Sequence, residues 1–238
     1  MSTLATMRTG FRVQRYHHAL RVGHMLTADV QRSHPVELHL RQSSADSACA
    51  LHAIAMAFIV LDLAKRSALL VMSTRKYGVA ADLYELLGFS WHQGLFADAV
   101  VDALEALKLP ITVRWTDGFD NGVDAFAVDV LKRGTLCLIA YESFKDRHRH
   151  FILGVGCAGV MRGAVFEIDS LLVLDPSTDA LPFSCCNGML RIDKPVDFAR
   201  RQTSVRWRYE SAGDAEPVRL MSAISVVRHD GDVRKGRS

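Results

Sequence analysis

The sequence lacks the features that mark several classes of protein. Its longest apolar run, residues 48–61, contains His52 and falls short of the roughly 20 residues a membrane-spanning helix needs. The opening segment, MSTLATMRTGFRVQRY, has no apolar stretch of the kind a secretion signal requires. Neither sign of charge dominates. The formal net charge is +3, and the arginines are scattered from Arg8 to Arg237 without a long run, which argues against a nucleic-acid-binding stripe. The five cysteines, at 49, 137, 157, 185 and 186, are odd in number and do not resemble the disulfide framework of a small secreted domain. No membrane, no nucleic acid and a reducing cytoplasmic setting are therefore expected, with Cys49 available as a thiol.

Cofactor signatures are also missing. The GVGCAG stretch lacks the Lys and the following helix of a phosphate loop. Cys185 and Cys186 are adjacent, without a second pair or a nearby His, whereas tetrahedral zinc sites favour ligands a few residues apart. His17, His18 and His24 read as one solvated helix face. No cofactor and no metal are expected.

What is present divides into three parts. Residues 1–36 are rich in Arg and His and weakly patterned, and read as an N-terminal extension with a helix over 11–30. A domain follows over residues 37–228, and 229–238 read as a disordered tail. Within the domain a short strand covers 36–40. The segment RQSSADSA then precedes the apolar run CALHAIAMAFIVLDLA, a helix start with Asp46 or Ser47 as cap. Because that run is apolar nearly all round, its helix is expected to be buried in the middle of the domain. Further helices are predicted over 80–87 and 95–108, the second stopping before Pro110, and a short one over 128–132. From Ile111 the pattern changes to short β-branched or aromatic runs bounded by Gly, Asp or Pro. These predict strands over 111–115, 136–141, 151–155, 165–168, 171–174, 206–209 and 219–227. Helices first and strands later suggest an α+β domain.

Four residues can carry chemistry together. Cys49 falls in the first turn of the central helix, where unpaired backbone N–H groups favour a thiolate and can also hold an oxyanion. Gln42, seven positions upstream, offers a side-chain N–H donor to the same oxyanion. His150 opens a strand whose even positions share a face with Ile152 and Gly154, so its imidazole can meet Cys49 across a helix–sheet interface; His148 is a rival on that face. Asp175 ends the apolar run LLVLD before Pro176, where a carboxylate can fix the imidazole tautomer; Asp169 is the alternative orienter. Taken singly, each residue has a plainer explanation: a packed thiol, a strand-end histidine, an Asp-Pro turn.

In the order Gln, Cys, His, Asp, the stretches QSSADSACALHAIAM, GLFADAVVDALEAL, GTLCLIAYESFKDRHRHFILGVG and LLVLDPS resemble the papain superfamily. The nearest resemblance is to bacterial peptidases that process double-glycine leader peptides, and it covers about residues 36–177. It implies a papain-like α+β fold, with a central nucleophile helix packed on an antiparallel sheet. It also implies a Cys49–His150–Asp175 triad, and an oxyanion hole completed by Gln42. Three features depart from the family. Gln lies seven rather than six residues before Cys, Ala50 replaces the frequent Gly, and the His-to-Asp interval is lengthened by VGCAGVMRGAVFEID. The expected activity is cleavage of an amide bond in a peptide or protein substrate through an acyl-enzyme. The same residues would also serve an acyltransferase, a transglutaminase-like enzyme or a deamidase, or persist in an inactive binding module.

Overall fold

The computed structural model describes residues 10–30, 34–43, 46–90, 94–118, 121–193 and 207–229. Within them the chain is mostly β. Two strands are long, β7 (Arg149–Arg162) and β11 (Ala215–Arg228), and each changes partner along its length. The start of β7 pairs with β6 (Leu136–Ser143), its later part with β1 (Phe11–Tyr16), and most of its other edge with β8 (Val165–Leu174). In the same way β11 pairs in turn with β10 (Trp207–Ser211), β6 and β5 (Ile111–Asp117). The path β7–β6–β11–β10–β9–β8, with β9 spanning Gly188–Ile192, returns to β7. Six antiparallel strands thus close into a barrel. A separate small sheet joins β2 (Leu20–Arg21), β3 (Thr27–Ala28) and β4 (Val36–Glu37).

The papain-like α+β architecture expected from the sequence is therefore corrected: a closed barrel forms in place of a helix packed on an open sheet. The cause lies in the segment read as an insertion between His150 and Asp175. VGCAGVMRGAVFEID continues β7 and turns at Gly163, which has φ +63°, directly into β8. Register shifts at Gly154/Gly156 and Ala158/Gly159 add the bulges that let a long strand coil and curve. Gly156 is required there because a side-chain carbon would collide with the Arg15 carbonyl on β1. Closure also needs β9, whose NGMLRI carries little strand pattern. Residues 11–30, expected as a helix in an extension, instead supply β1 and pack Leu20, Leu26, Ala28 and Val30 into the main core. The strands predicted over 165–168 and 171–174 are one strand, β8. Of the tail expected over 229–238, residues 230–238 lie outside the described residues.

Alternation sorts the strands' side chains into two cores. One gathers Ile139, Ile152, Val173, Leu190, Trp207 and Val218, one or more from every barrel strand, and is the barrel interior. Helix α5 (Asn121–Lys132) contributes Val123, Ala127, Val130 and Leu131 to it. The Trp207 indole N–H donates to Asp124 Oδ1 at 2.7 Å and ties this helix to β10. The opposite faces of β6 and β7, with Leu136, Leu138, Phe151 and Leu153, form the outer core. It is covered by α1 (Cys49–Val60), α3 (Val79–Leu87) and α4 (Ala97–Ala106), with the short α2 (Arg66–Leu69) between. All of α1 except His52 is buried, as its all-round apolar pattern requires; each of its large side chains contributes about 1.5–3 kcal/mol.

Trp207→Phe keeps the ring but removes the donor to a buried carboxylate. A loss of about 1.5–3 kcal/mol is expected, read as a lower urea midpoint with an unchanged slope.

Candidate active site

Four barrel strands and one helix start converge at one mouth of the barrel. His150 is the second residue of β7, on the inward face with Ile152, and pairs across to Tyr141 of β6. Asp175 directly follows β8, and Tyr209 comes from β10. Cys49 begins α1 on the outer side of the wall, where its Sγ accepts the Phe151 backbone N–H at 3.4 Å. Because His150 and Phe151 are successive residues, they project to opposite faces of β7. The strand edge is thereby the meeting point of the two cores. The helix start itself is capped from outside: Ala48 occupies the cap position without a side-chain bond, and Asp46 accepts the Ala48 and Ser43 N–H groups at 3.0 Å.

The geometry is that of a chain of proton-sharing groups. His150 Nε2 donates to Asp175 Oδ1 at 2.7 Å, which leaves Nδ1 free of that bond, and the imidazole stands close enough to the Cys49 thiol for each to shift the other's ionisation. Asp175 is held on every side. Its Oδ1 also accepts the Ser177 N–H at 2.7 Å and the Ser177 hydroxyl at 2.6 Å, and its Oδ2 accepts the Tyr209 hydroxyl. The Asn187 amide clamps the Asp175 backbone, accepting from its N–H at 2.7 Å and donating to its carbonyl at 2.8 Å. His39 stands against the same carbonyl and Asn187. Tyr141 stacks on Tyr209 and meets His150 edge-on.

Burial and partners compete for the charge on each group, and the partners prevail. Burial alone favours neutral Cys49, but the His150 hydrogen bond and charge, then the N–H groups of Phe151 and Ala50, bring the thiol below its ordinary value. Burial likewise disfavours imidazolium, yet the bond to Asp175 and then that to Cys49 raise His150 to about 10. Asp175 falls to about 2, burial being outweighed first by His150 and then by Ser177 and Tyr209. Both shifts run in the direction that favours a thiolate–imidazolium pair over the neutral thiol and imidazole. By contrast, burial raises Cys137 and Cys157, the latter to about 11.

A cleft of about 1050 Å³ opens over this cluster and is lined by Cys49, His150, Asp175 and Gln42 among others. Gln42 thus shares the cleft, but its amide N–H₂ donates to the Asp46 carbonyl at 2.7 Å, and its Oε1 is buried without a partner. One hydrogen of that N–H₂ remains beyond the bond to Asp46. Of the two rivals, Asp169 lies away from the cleft, while His148 lines it beside His150. Asp169 forms an exposed double hydrogen bond with Arg12, at 2.8 and 3.0 Å, and His148 is exposed, stacked on His150 at 5.9 Å. Sequence reasoning missed Tyr209, Asn187, Ser177 and His39. His39 and Tyr209 fall in predicted strands, but only Ser177, two residues after Asp175, stood beside a residue singled out for chemistry. Among the described residues no group of three or more His, Cys, Asp or Glu is placed to hold a metal ion, and no helix is long and apolar enough to cross a membrane. The chain matches no protein-family model and no curated protein.

Two pH dependences follow. Alkylation of Cys49 by iodoacetamide should titrate with a midpoint below the usual thiol value, and His150→Ala should move it above that value, since burial persists without its main offset. An unchanged midpoint would show that His150 does not act on the thiol. The His150 pKa is raised, so its stabilisation is complete below about pH 6.5 and lost as pH rises through about 10. The Asp175 pKa is depressed, so its stabilisation is present above about pH 3.9 and lost as pH falls through about 2. Denaturation midpoints measured against pH should therefore lose their alkaline decline in His150→Ala.

Proposed function

We propose that this protein is a cysteine hydrolase that cleaves a peptide or protein amide bond through an acyl-enzyme on Cys49. The observation that carries the reading is the Cys49 thiol set against the His150 imidazole in the cleft, with that imidazole hydrogen-bonded to the buried, four-donor Asp175. The order Gln, Cys, His, Asp that resembles the papain superfamily supports the same chemistry, here on a barrel.

The step sequence uses only these groups. The Cys49 thiolate attacks the scissile carbonyl carbon, forming a C–S bond and moving an electron pair onto oxygen. First-turn N–H groups of α1 and the second hydrogen of the Gln42 amide would stabilise that oxyanion. As the tetrahedral species collapses, the C–N bond breaks and His150 gives its proton to the leaving amine. Water then attacks the thioester, His150 taking its proton. Rupture of the C–S bond releases the acid and restores the thiolate–imidazolium pair. Asp175 keeps the imidazole oriented throughout and forms no bond to substrate.

Cys49→Ala should abolish turnover and leave the fold intact, since a small side chain at a helix start leaves little cavity. His150→Ala should lose nearly all turnover and His148→Ala several-fold at most. Asp175→Ala should slow single-turnover acylation by about 10- to 1000-fold, and Asp169→Ala by less than about threefold. Wild-type turnover in Cys49→Ala would overturn the reading. Product masses with and without an added amine separate hydrolysis from acyl transfer.

A further inference from the structure

One row of cross-strand partners runs from the nucleophile across the barrel's outer wall. Phe151 of β7, whose N–H meets the Cys49 sulfur, pairs with Ala140 of β6; Ala140 pairs with Ser222 of β11; Ser222 pairs with Asp117 of β5. Directly paired residues project to the same face, and all four line the cleft. The next row along, Leu153, Leu138 and Ile224, is buried under the helices and ends on β5 at Trp115, which is 40% exposed and also lines the cleft. The cleft therefore extends beyond Cys49 over a floor of two small side chains, Ala140 and Ser222. It ends at an indole and a carboxylate two residues apart on one face of β5.

The chemistry along this extension is specific. The Ser222 hydroxyl sits beside the bulge between Leu220 and Ser222. It is buried, on a residue only 3% exposed, and has no hydrogen-bond partner, an unfavourable state that a ligand's polar group relieves. The Asp117 carboxylate makes no hydrogen bond or ion pair among the described residues. Two basic side chains that line the cleft are already engaged, Arg41 with Asp179 and Arg149 with Glu142; Lys145 stands in the turn after β6, next to Asp146. An indole face beside an unpaired carboxylate suits an ammonium or guanidinium group, by cation–π attraction and ion pairing together.

We propose that this extension is a substrate subsite, in which an extended peptide crosses Ala140 and Ser222 and places a Lys or Arg side chain between Trp115 and Asp117. Ser222 bonds a backbone group of that peptide. Three strand spacings separate Phe151 from Asp117, about 14 Å, so at about 3.4 Å per residue the basic side chain lies some four residues from the scissile bond. The proposal rests on the hydrolase reading and specifies its substrate.

The test is a lysine scan in internally quenched peptides, one Lys moved through the positions on either side of the cleaved bond, with Glu and Gln counterparts. Iodoacetamide labelling of Cys49 in the same preparation reports the nucleophile independently. Expected is a roughly tenfold preference in kcat/KM for Lys over Glu at one position three to five residues from the cleavage point. Asp117→Asn should erase most of it and Asp117→Lys reverse it. Ser222→Ala should lower kcat/KM alike for all three peptides. A poised Cys49 with equal cleavage of Lys, Gln and Glu peptides, or a preference that survives Asp117→Lys, overturns the subsite and leaves the hydrolase reading standing. A Cys49 that labels no faster than the other cysteines overturns both.

Discussion

The arrangement at the barrel mouth depends on keeping one carboxylate charged where almost no water reaches it. Asp175 is 1% exposed and His150 5%, and ion pairs at such depth cost more to desolvate than their mutual attraction returns unless further hydrogen bonds satisfy them. Four donor contacts supply that excess at Asp175: the imidazole, the Ser177 N–H and hydroxyl, and the Tyr209 hydroxyl. They come from β7, from the turn after β8 and from β10, and the backbone clamp by Asn187 comes from just before β9. No open sheet of β6, β7 and β8 alone could provide them. Closing the barrel is therefore a condition for the charged pair, and the pair in turn holds the His150 imidazole toward the sulfur.

The same wall serves two environments. Residues of even number at the start of β7 enter the barrel, so His150 stands with Tyr141 and Tyr209. Phe151 enters the outer core beneath α1. The sulfur lies where the two meet, taking a backbone N–H from the strand and its charge partner from the ring that enters the barrel. A helix packed against the outside of a barrel can thus share a site with groups on its inside only at a mouth, where the wall ends. That constraint explains why the cluster sits at the second residue of β7 and the residue after β8.

Much of the site was legible because its residues mark element boundaries. Cys49 opens an apolar helix, His150 an alternating strand, and Asp175 precedes a proline, and each boundary shows in a short window of sequence. The shell around Asp175 was not legible, because Tyr209 and Asn187 are 34 and 12 residues away along the chain and meet it only through pairing of β8 with β9 and β9 with β10. The fold class was misread for the same reason. β-strand periodicity reports which face of a strand is buried, but an open sheet covered by helices and a closed barrel bury the same faces. What separates them is curvature, and curvature here resides in bulges beside Gly156 and Gly159, which register as weak points in a strand.

Asp169 and Asp175 show how far local pattern can discriminate. Both lie near strand residues and both are within reach of a histidine in sequence terms. β8 is continuous between them, so the two are six residues apart on one strand and its continuation, a separation of about 20 Å at some 3.3 Å per residue. Asp169 falls where β8 runs past the barrel to pair with the extension of β7 that carries β1, and there it meets Arg12 in solvent. Asp175 falls where β8 ends over the interior. Whether a carboxylate becomes a surface ion pair or a buried orienter is decided by how far along the strand the barrel closes, a property of the whole sheet that neither residue's neighbours encode.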